Sequence, residues 1–152
     1  MSCGLSIVMT WQPDRLLPGF EVLELPAPDD YDGRVVATLV RLPAGDAPRD
    51  AVLYVHGFID YFFQHHLAER FAAEGYAFYA LDLRKHGRSL LPHQHACCCK
   101  DISEYHDDLT RALAEIDAPV LPFPGGLHDL VLSRREIREE VFRQLFAWAT
   151  MQ

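Results

Sequence analysis

Two apolar runs separated by a helical pattern fix the centre of this chain. Residues 51–58 read AVLYVHGF and end in His56-Gly57-Phe58. Residues 77–89 read AFYALDLRKHGRS, an apolar run closed by Asp82 and followed by the basic turn Arg84-Lys85-His86-Gly87-Arg88-Ser89. Between them, residues 61–74 carry helical spacing. The pattern opens beside Asp60, a good N-cap type, and stops at Gly75. Phe63, Leu67 and Phe71 share one face, with Ala68 and Ala72 beside them. Two buried strands joined by one helix make a right-handed βαβ crossover. Both strands end in polar, glycine-containing loops at one edge of the sheet, where open α/β sheets bind ligands.

The flanks supply the rest of the sheet. Residues 1–18, with Pro13 and Pro18, read as an N-terminal arm or edge segment. Residues 20–25 predict a strand ended by Pro26 and Pro28, residues 29–33 a turn, and residues 35–42 a strand ended by Pro43. Together these form an antiparallel hairpin at one sheet edge. After the irregular stretch 90–100, a helix is predicted over 101–116, with Ile102, Tyr105, Leu109, Leu113 and Ile116 as its buried stripe. Asp117-Ala118-Pro119 breaks it, and 120–123 reads as a short strand. Ser133-Arg134-Arg135-Glu136 fits a capping box for a last helix that turns Ile137, Val141, Leu145 and Trp148 inward. Strand and helix alternate over the last six elements. The expected fold is therefore α/β, a mostly parallel sheet of about five strands with helices on both faces, in a single domain of 152 residues.

Charge narrows the partners. With 14 basic against 22 acidic residues and a net charge of −8, the chain lacks the basic surface that nucleic acids or anionic membranes require. No apolar run approaches the ~20 residues of a membrane span, and the first 15 residues lack the layout of a signal peptide. Cys3 and the triplet Cys97-Cys98-Cys99 are no disulfide framework, so a cytoplasmic location is expected.

These motifs also carry a resemblance. VLYVHGF, a helix, and then YALDLRKHGRS resemble the third and fourth strands of the α/β-hydrolases, in the esterase, monoglyceride-lipase and lysophospholipase branch. GGLHDLVLS at 125–133 resembles the loop that carries the catalytic histidine of that fold. The resemblance runs from about residue 20 to 148. It implies a carboxylic-ester hydrolase acting on small or medium acyl esters, without an organic cofactor. His128 would be the general base, and the N–H groups of Phe58 and Ile59 the oxyanion donors. His56, Gly57, Asp82, His86 and Asp129 would shape the site.

One part of the pattern is absent. The family's nucleophile stands in Gly-x-Ser-x-Gly on a strained strand-to-helix turn. This sequence has only first halves of it, at Gly87-Arg88-Ser89 and Gly4-Leu5-Ser6. An internal deletion with its seam near 117–119 would remove the elbow, the lid and the acidic triad member. Substitute nucleophiles are Cys97, Cys98, Ser89 or water itself. His93 and His95 precede the cysteines, but the spacing is not Cys-x-x-Cys, and no metal is expected. His65 and His66 point apart on their helix. Arg84, Lys85 and Arg88 read as a solvated turn, and Trp11, Trp148 and Phe62-Phe63 as core or interface.

Losing the central strand leaves 51–55 with an open edge. Either 120–123 fills it, which brings His128 opposite His56 and His86, or two chains pair there as a homodimer. The rival reading is a non-catalytic remnant or fragment with a binding or assembly role.

Overall fold

A computed structural model describes residues 9–45, 50–116 and 134–150. The chain divides into two compact units, Met1–Ala118 and Pro119–Gln152. The first holds strands β1 (Gln12–Pro13), β2 (Glu21–Asp30), β3 (Gly33–Leu42), β4 (Ala51–Val55) and β5 (Ala77–Asp82), with helices α1 (His65–Ala73) and α2 (Glu104–Glu115). Gly87–Ser89 forms one 3₁₀ turn after β5.

The strand order is β1-β2-β3-β5-β4. The sheet is mixed rather than mostly parallel, because only β4 and β5 run in the same direction. A parallel pair needs a crossover, and among the described residues the only helix that links two strands of this sheet is α1. The strand expected at 120–123 lies outside the described residues. β4 is consequently an edge strand among them.

Side-chain alternation sorts the core onto the two faces of the sheet. Leu23, Leu25, Ala37, Leu39, Leu81 and Leu83 pack with Ala112, Tyr105, Leu109 and Ile116 of α2. Phe20, Val40, Phe78 and Ala80 pack with Phe62 and with Ala68, Leu67 and Phe71 of α1. Helices thus cover both faces. β3 is buried from Val35 to Val40 because it is covered on both sides, paired with β2 along its length and with β5 from Thr38 onward.

Three boundaries differ from the sequence expectation. β2 continues through Pro26 and Pro28, since β1 pairs only with Glu21 and Val22, and the rest of that edge needs no ladder donors. α1 begins at His65, after Gln64, and Asp60 instead accepts the neighbouring Tyr61 N–H. The start shifts because Phe62, with 0 % exposure, turns into the core, whereas Phe63 stays 52 % exposed. α2 begins at Glu104, which leaves Ile102 exposed and outside the buried stripe.

In the second unit, α3 spans Arg135–Thr150, with Ile137 and Val141 half-buried and Arg143 paired to Glu140 one turn away. Ser133 and the side chains of Leu145 and Trp148 lie outside what the structure describes.

Candidate active site

β5 has strands on both sides and ends at Asp82, whose carboxylate is buried at the C-terminal edge of the sheet. Both its oxygens are used. The Phe62 N–H donates to Oδ1 at 2.9 Å. Arg88 donates to Oδ2 from its N–H at 3.0 Å and from Nη1 at 2.9 Å. Arg88 Nη1 also reaches the Phe62 carbonyl at 2.9 Å, and its Nε and Nη2 grip Asp14 at 3.1 and 2.6 Å. Asp82 and Arg88 thereby pin both backbone groups of Phe62, which holds the segment leading into α1.

The rest of the basic turn is buried in the same way. Arg84 forms a fork with Asp108 of α2, with Nε–Oδ2 at 3.0 Å and Nη2–Oδ1 at 2.8 Å. Lys85, fully buried, lies 2.8 Å from Asp30 and 2.9 Å from Asp32, and 3.9 Å over the Tyr31 ring. These three cations are therefore a structural hub and not a solvated turn. Each meets acids from a different part of the chain: the segment before β2, the β2–β3 turn, and α2. A buried charge is tolerated only when so paired. Burial alone pushes the Lys85 ammonium down, but its contacts with the carboxylates of Asp30 and Asp32 together outweigh it and raise the pKa above the ordinary lysine value. Burial likewise pushes the Asp14 carboxyl up, yet the bond and charge of Arg88 together with the N–H groups of Leu16 and Leu17 outweigh it and hold the group below its usual range.

His56, at the end of β4, is buried. Its Nε2 accepts the Leu83 N–H at 3.0 Å, and its Nδ1 stands 2.7 Å from the Gly57 carbonyl. Its ring lies 4.8 Å from that of His86. His86 donates from Nδ1 to the Arg84 carbonyl at 2.8 Å and meets the edge of Tyr105 on its other flank. Beyond this pair the chain turns outward. Phe58 is 79 % and Ile59 73 % exposed, and Ile59 takes φ +54°. Among the described residues, nothing accepts from the Phe58 or Ile59 N–H. β4 itself is not buried as the sequence suggested, since it stands at the sheet edge among the described residues and its Val55 is 38 % exposed, but two open amides just beyond its end can hold an oxyanion.

Burial is the main cause that lowers the His86 pKa, and neighbouring His56 adds to it, against the Arg84 carbonyl and the charges of Asp82 and Asp108. A base whose folded-state pKa is depressed favours the folded state above its unfolded pKa, and that advantage is lost as pH falls. Urea midpoints are thus expected to fall as pH drops from about 7 to 5.5, starting near the unperturbed value of about 6.5. His86→Leu is expected to flatten this slope. An unchanged slope in the variant would show that His86 does not carry it.

The remaining candidates do not gather here. Ser89 Oγ is buried, donates to the Asp82 carbonyl at 2.7 Å and sits 3.0 Å from Thr38 Oγ1, so it braces the turn and presents no free hydroxyl. Cys97 takes φ +56° and donates its N–H to the Lys85 carbonyl. Cys98 is exposed, and Cys99 is half-buried beside Tyr105, whose hydroxyl is pushed up first by burial and then by that thiol. His93 contacts the Arg34 carbonyl and His95 points into solvent. Among the described residues, no three His, Cys, Asp or Glu side chains converge to hold a metal. His128 and Asp129 lie outside the described residues.

The hub was missed in the sequence, although a signal existed. Asp14, the Asp29-Asp30-Tyr31-Asp32 turn and Asp107-Asp108 supply a local surplus of acids for three consecutive-turn cations.

Comparison with known proteins gives three findings. The family model for serine aminopeptidase, S33, matches residues 46–122, about half of the chain. A monoacylglycerol lipase of Mycolicibacterium smegmatis (strain ATCC 700084 / mc(2)155) is 40% identical over 78 residues, which make up 49% of this chain and 27% of the lipase. The chain thus spans about a quarter of that relative's length. The crystal structure of acetyl xylan esterase 1 from Thermoanaerobacterium sp. JW/SL YS485 aligns with a TM-score of 0.39 and 16% identity, over 70% of this chain and 32% of the esterase.

Proposed function

The chain belongs to the serine aminopeptidase S33 family of the α/β-hydrolases, and from that premise we propose that it hydrolyses carboxylic esters of small or medium acyl groups at the edge formed by β4 and β5. One observation carries the reading: the N–H groups of Phe58 and Ile59, which meet no acceptor among the described residues, stand just past the end of β4. They are suited to the oxygen of a carbonyl as it gains negative charge. The side chains around them, Phe58, Ile59 and Phe63, are apolar and exposed. That favours an acyl chain over the charged amino terminus of a peptide.

In this reading His128 is the general base. Cys97 and Cys98 do not gather at these amides, so water is the nucleophile: it gives a proton to His128 as its oxygen adds to the carbonyl carbon, and the alcohol leaves with that proton. Ser89 has no part in it, because its hydroxyl is already bonded.

A second reading, a non-catalytic chain with a binding or assembly role, is favoured by the absence of Gly-x-Ser-x-Gly and by the place of β4 as an edge strand among the described residues, where two copies could pair. Turnover of p-nitrophenyl acetate and butyrate by the purified chain separates the two, with intact-mass analysis after a thiol-directed and a serine-directed probe. The enzyme reading expects turnover that survives both probes and a loss of at least about 10²-fold on His128→Ala. No turnover and a concentration-dependent dimer in sedimentation would establish the second.

A further inference from the structure

The two ring nitrogens of His56 have partners of opposite kinds. A carbonyl oxygen can only accept, so the Nδ1 beside the Gly57 carbonyl carries the proton. A backbone N–H can only donate, so the Nε2 facing Leu83 is bare. Both constraints select one neutral tautomer, and that tautomer joins the end of β4 to the end of β5.

The first of these bonds bears directly on the open amides. The Gly57 carbonyl and the Phe58 N–H belong to one planar trans peptide, and in such a plane they point in opposite directions. Holding the carbonyl toward the buried imidazole therefore holds the Phe58 N–H away from it, toward the exposed side of the loop. A flip of this peptide would present a carbonyl oxygen where the amide now stands, and two oxygens carrying negative charge repel. Glycine does not itself resist that flip. Gly57 adopts no positive φ, and a Cβ placed on it would have nothing within 4 Å. The restraint comes from the histidine. Its ring is in turn wedged: His86 lies 4.8 Å away, Tyr105 of α2 backs His86, and the Arg84 carbonyl fixes the His86 Nδ1–H.

We infer that His56 is the positioning residue of this loop, setting through the Gly57 carbonyl the direction in which the Phe58 N–H is offered to an oxyanion. The inference rests on the reading of this loop as an oxyanion site. His56 acts through the peptide it holds and touches no reacting atom.

Two substitutions separate the two halves of the clamp. His56→Asn places an amide N–H near the Nδ1 position and keeps a donor for the Gly57 carbonyl. His56→Gln reaches the Nε2 position and keeps an acceptor for the Leu83 N–H, but leaves that carbonyl unheld. With p-nitrophenyl butyrate, His56→Gln is expected to lower kcat on the order of 10²-fold with KM little changed, as for a lost oxyanion donor. His56→Asn is expected to recover most of that loss. In ¹H–¹⁵N spectra the Phe58 amide should shift markedly more in the Gln variant than in the Asn variant, and wild-type His56 should show its proton on Nδ1. Equal kcat in the two variants, or a wild-type proton on Nε2, would overturn the inference. If the wild-type chain turns over no ester, it is the proposed function that fails. The spectra then decide the positioning role alone, and a Phe58 amide that shifts equally in both variants, or in neither, rejects it.

Discussion

Asp82→Ala is expected to destabilise the fold by about 3–5 kcal/mol, the usual cost of removing one partner from a buried ion pair. That is a large share of the roughly 5–15 kcal/mol available to a domain. The substitution leaves the Phe62 N–H and the Arg88 N–H without their acceptor, and it leaves the Arg88 guanidinium buried against Asp14 and the Phe62 carbonyl only. Asp82→Asn keeps an acceptor oxygen for Phe62 but turns its NH2, a donor, toward the donors of Arg88, so its cost falls between wild type and Ala. Removing both partners, as in Asp82→Ala with Arg88→Met, is expected to cost less than the sum of the single changes, because the two residues share one interaction, although Asp14 then loses Arg88 as well. Urea unfolding of wild type, Asp82→Ala, Asp82→Asn, Arg88→Met and the double variant at neutral pH reads all of this. A loss under about 1 kcal/mol for Asp82→Ala would mean that the hub does not hold the fold.

The same network shows what the sequence could and could not disclose. The βαβ centre was legible because its signals are local: two apolar runs, a helical period and Gly75 between them. The placement of both strand ends at one edge followed from topology. The resemblance carried by VLYVHGF and YALDLRKHGRS was legible too, and the family match over residues 46–122 agrees with it. The burial of Arg84, Lys85 and Arg88 was not legible, because a charge run looks the same whether water or carboxylates surround it. Its partners lie 24 residues away at Asp108, 53 at Asp32 and 74 at Asp14, and no window along the chain joins them. Phe62 and Phe63 failed for a related reason. Period favoured Phe63 on the face of Leu67 and Phe71. The hydrogen bond to Asp82 instead draws the Phe62 backbone inward, and the helix starts only after it.

The fold direction of the sheet was legible only in part. Alternating strands and helices suggested parallel pairing, yet β1, β2 and β3 are joined by short reversals that force antiparallel neighbours. β3 then meets β5 antiparallel as well. The candidate nucleophiles illustrate a different limit. Ser89 and the cysteines were equivalent on spacing alone, whereas burial separates a committed hydroxyl from an exposed Cys98 thiol.

Gly87→Ala is expected to be among the most damaging single changes in the chain, and Gly57→Ala nearly silent, although both glycines follow a histidine at a strand end. A Cβ on Gly87 would sit 2.4 Å from the Tyr61 Cβ, 2.6 Å from Asp82 Oδ2 and 2.8 Å from the Tyr61 Cγ, with φ at +47°. The φ alone costs an alanine about 1 kcal/mol. The clash adds more, because a Cβ is fixed to its backbone and Tyr61 cannot move without dragging Phe62 from Asp82 and Arg88. The total is expected at about 3–5 kcal/mol, in the range of severe overpacking with strain. Gly57 has neither problem, so its alanine variant should stay within about 1 kcal/mol of wild type. Thermal and urea unfolding of the two variants side by side checks the contrast. Because Tyr61 and Phe62 lead directly from the open amides into α1, any folded fraction of Gly87→Ala should also show displaced Phe58 and Ile59 amide resonances. Equal stability of the two variants would mean that the Tyr61 segment does not rest on the Gly87 turn, and the link between the hub and the candidate site would be broken.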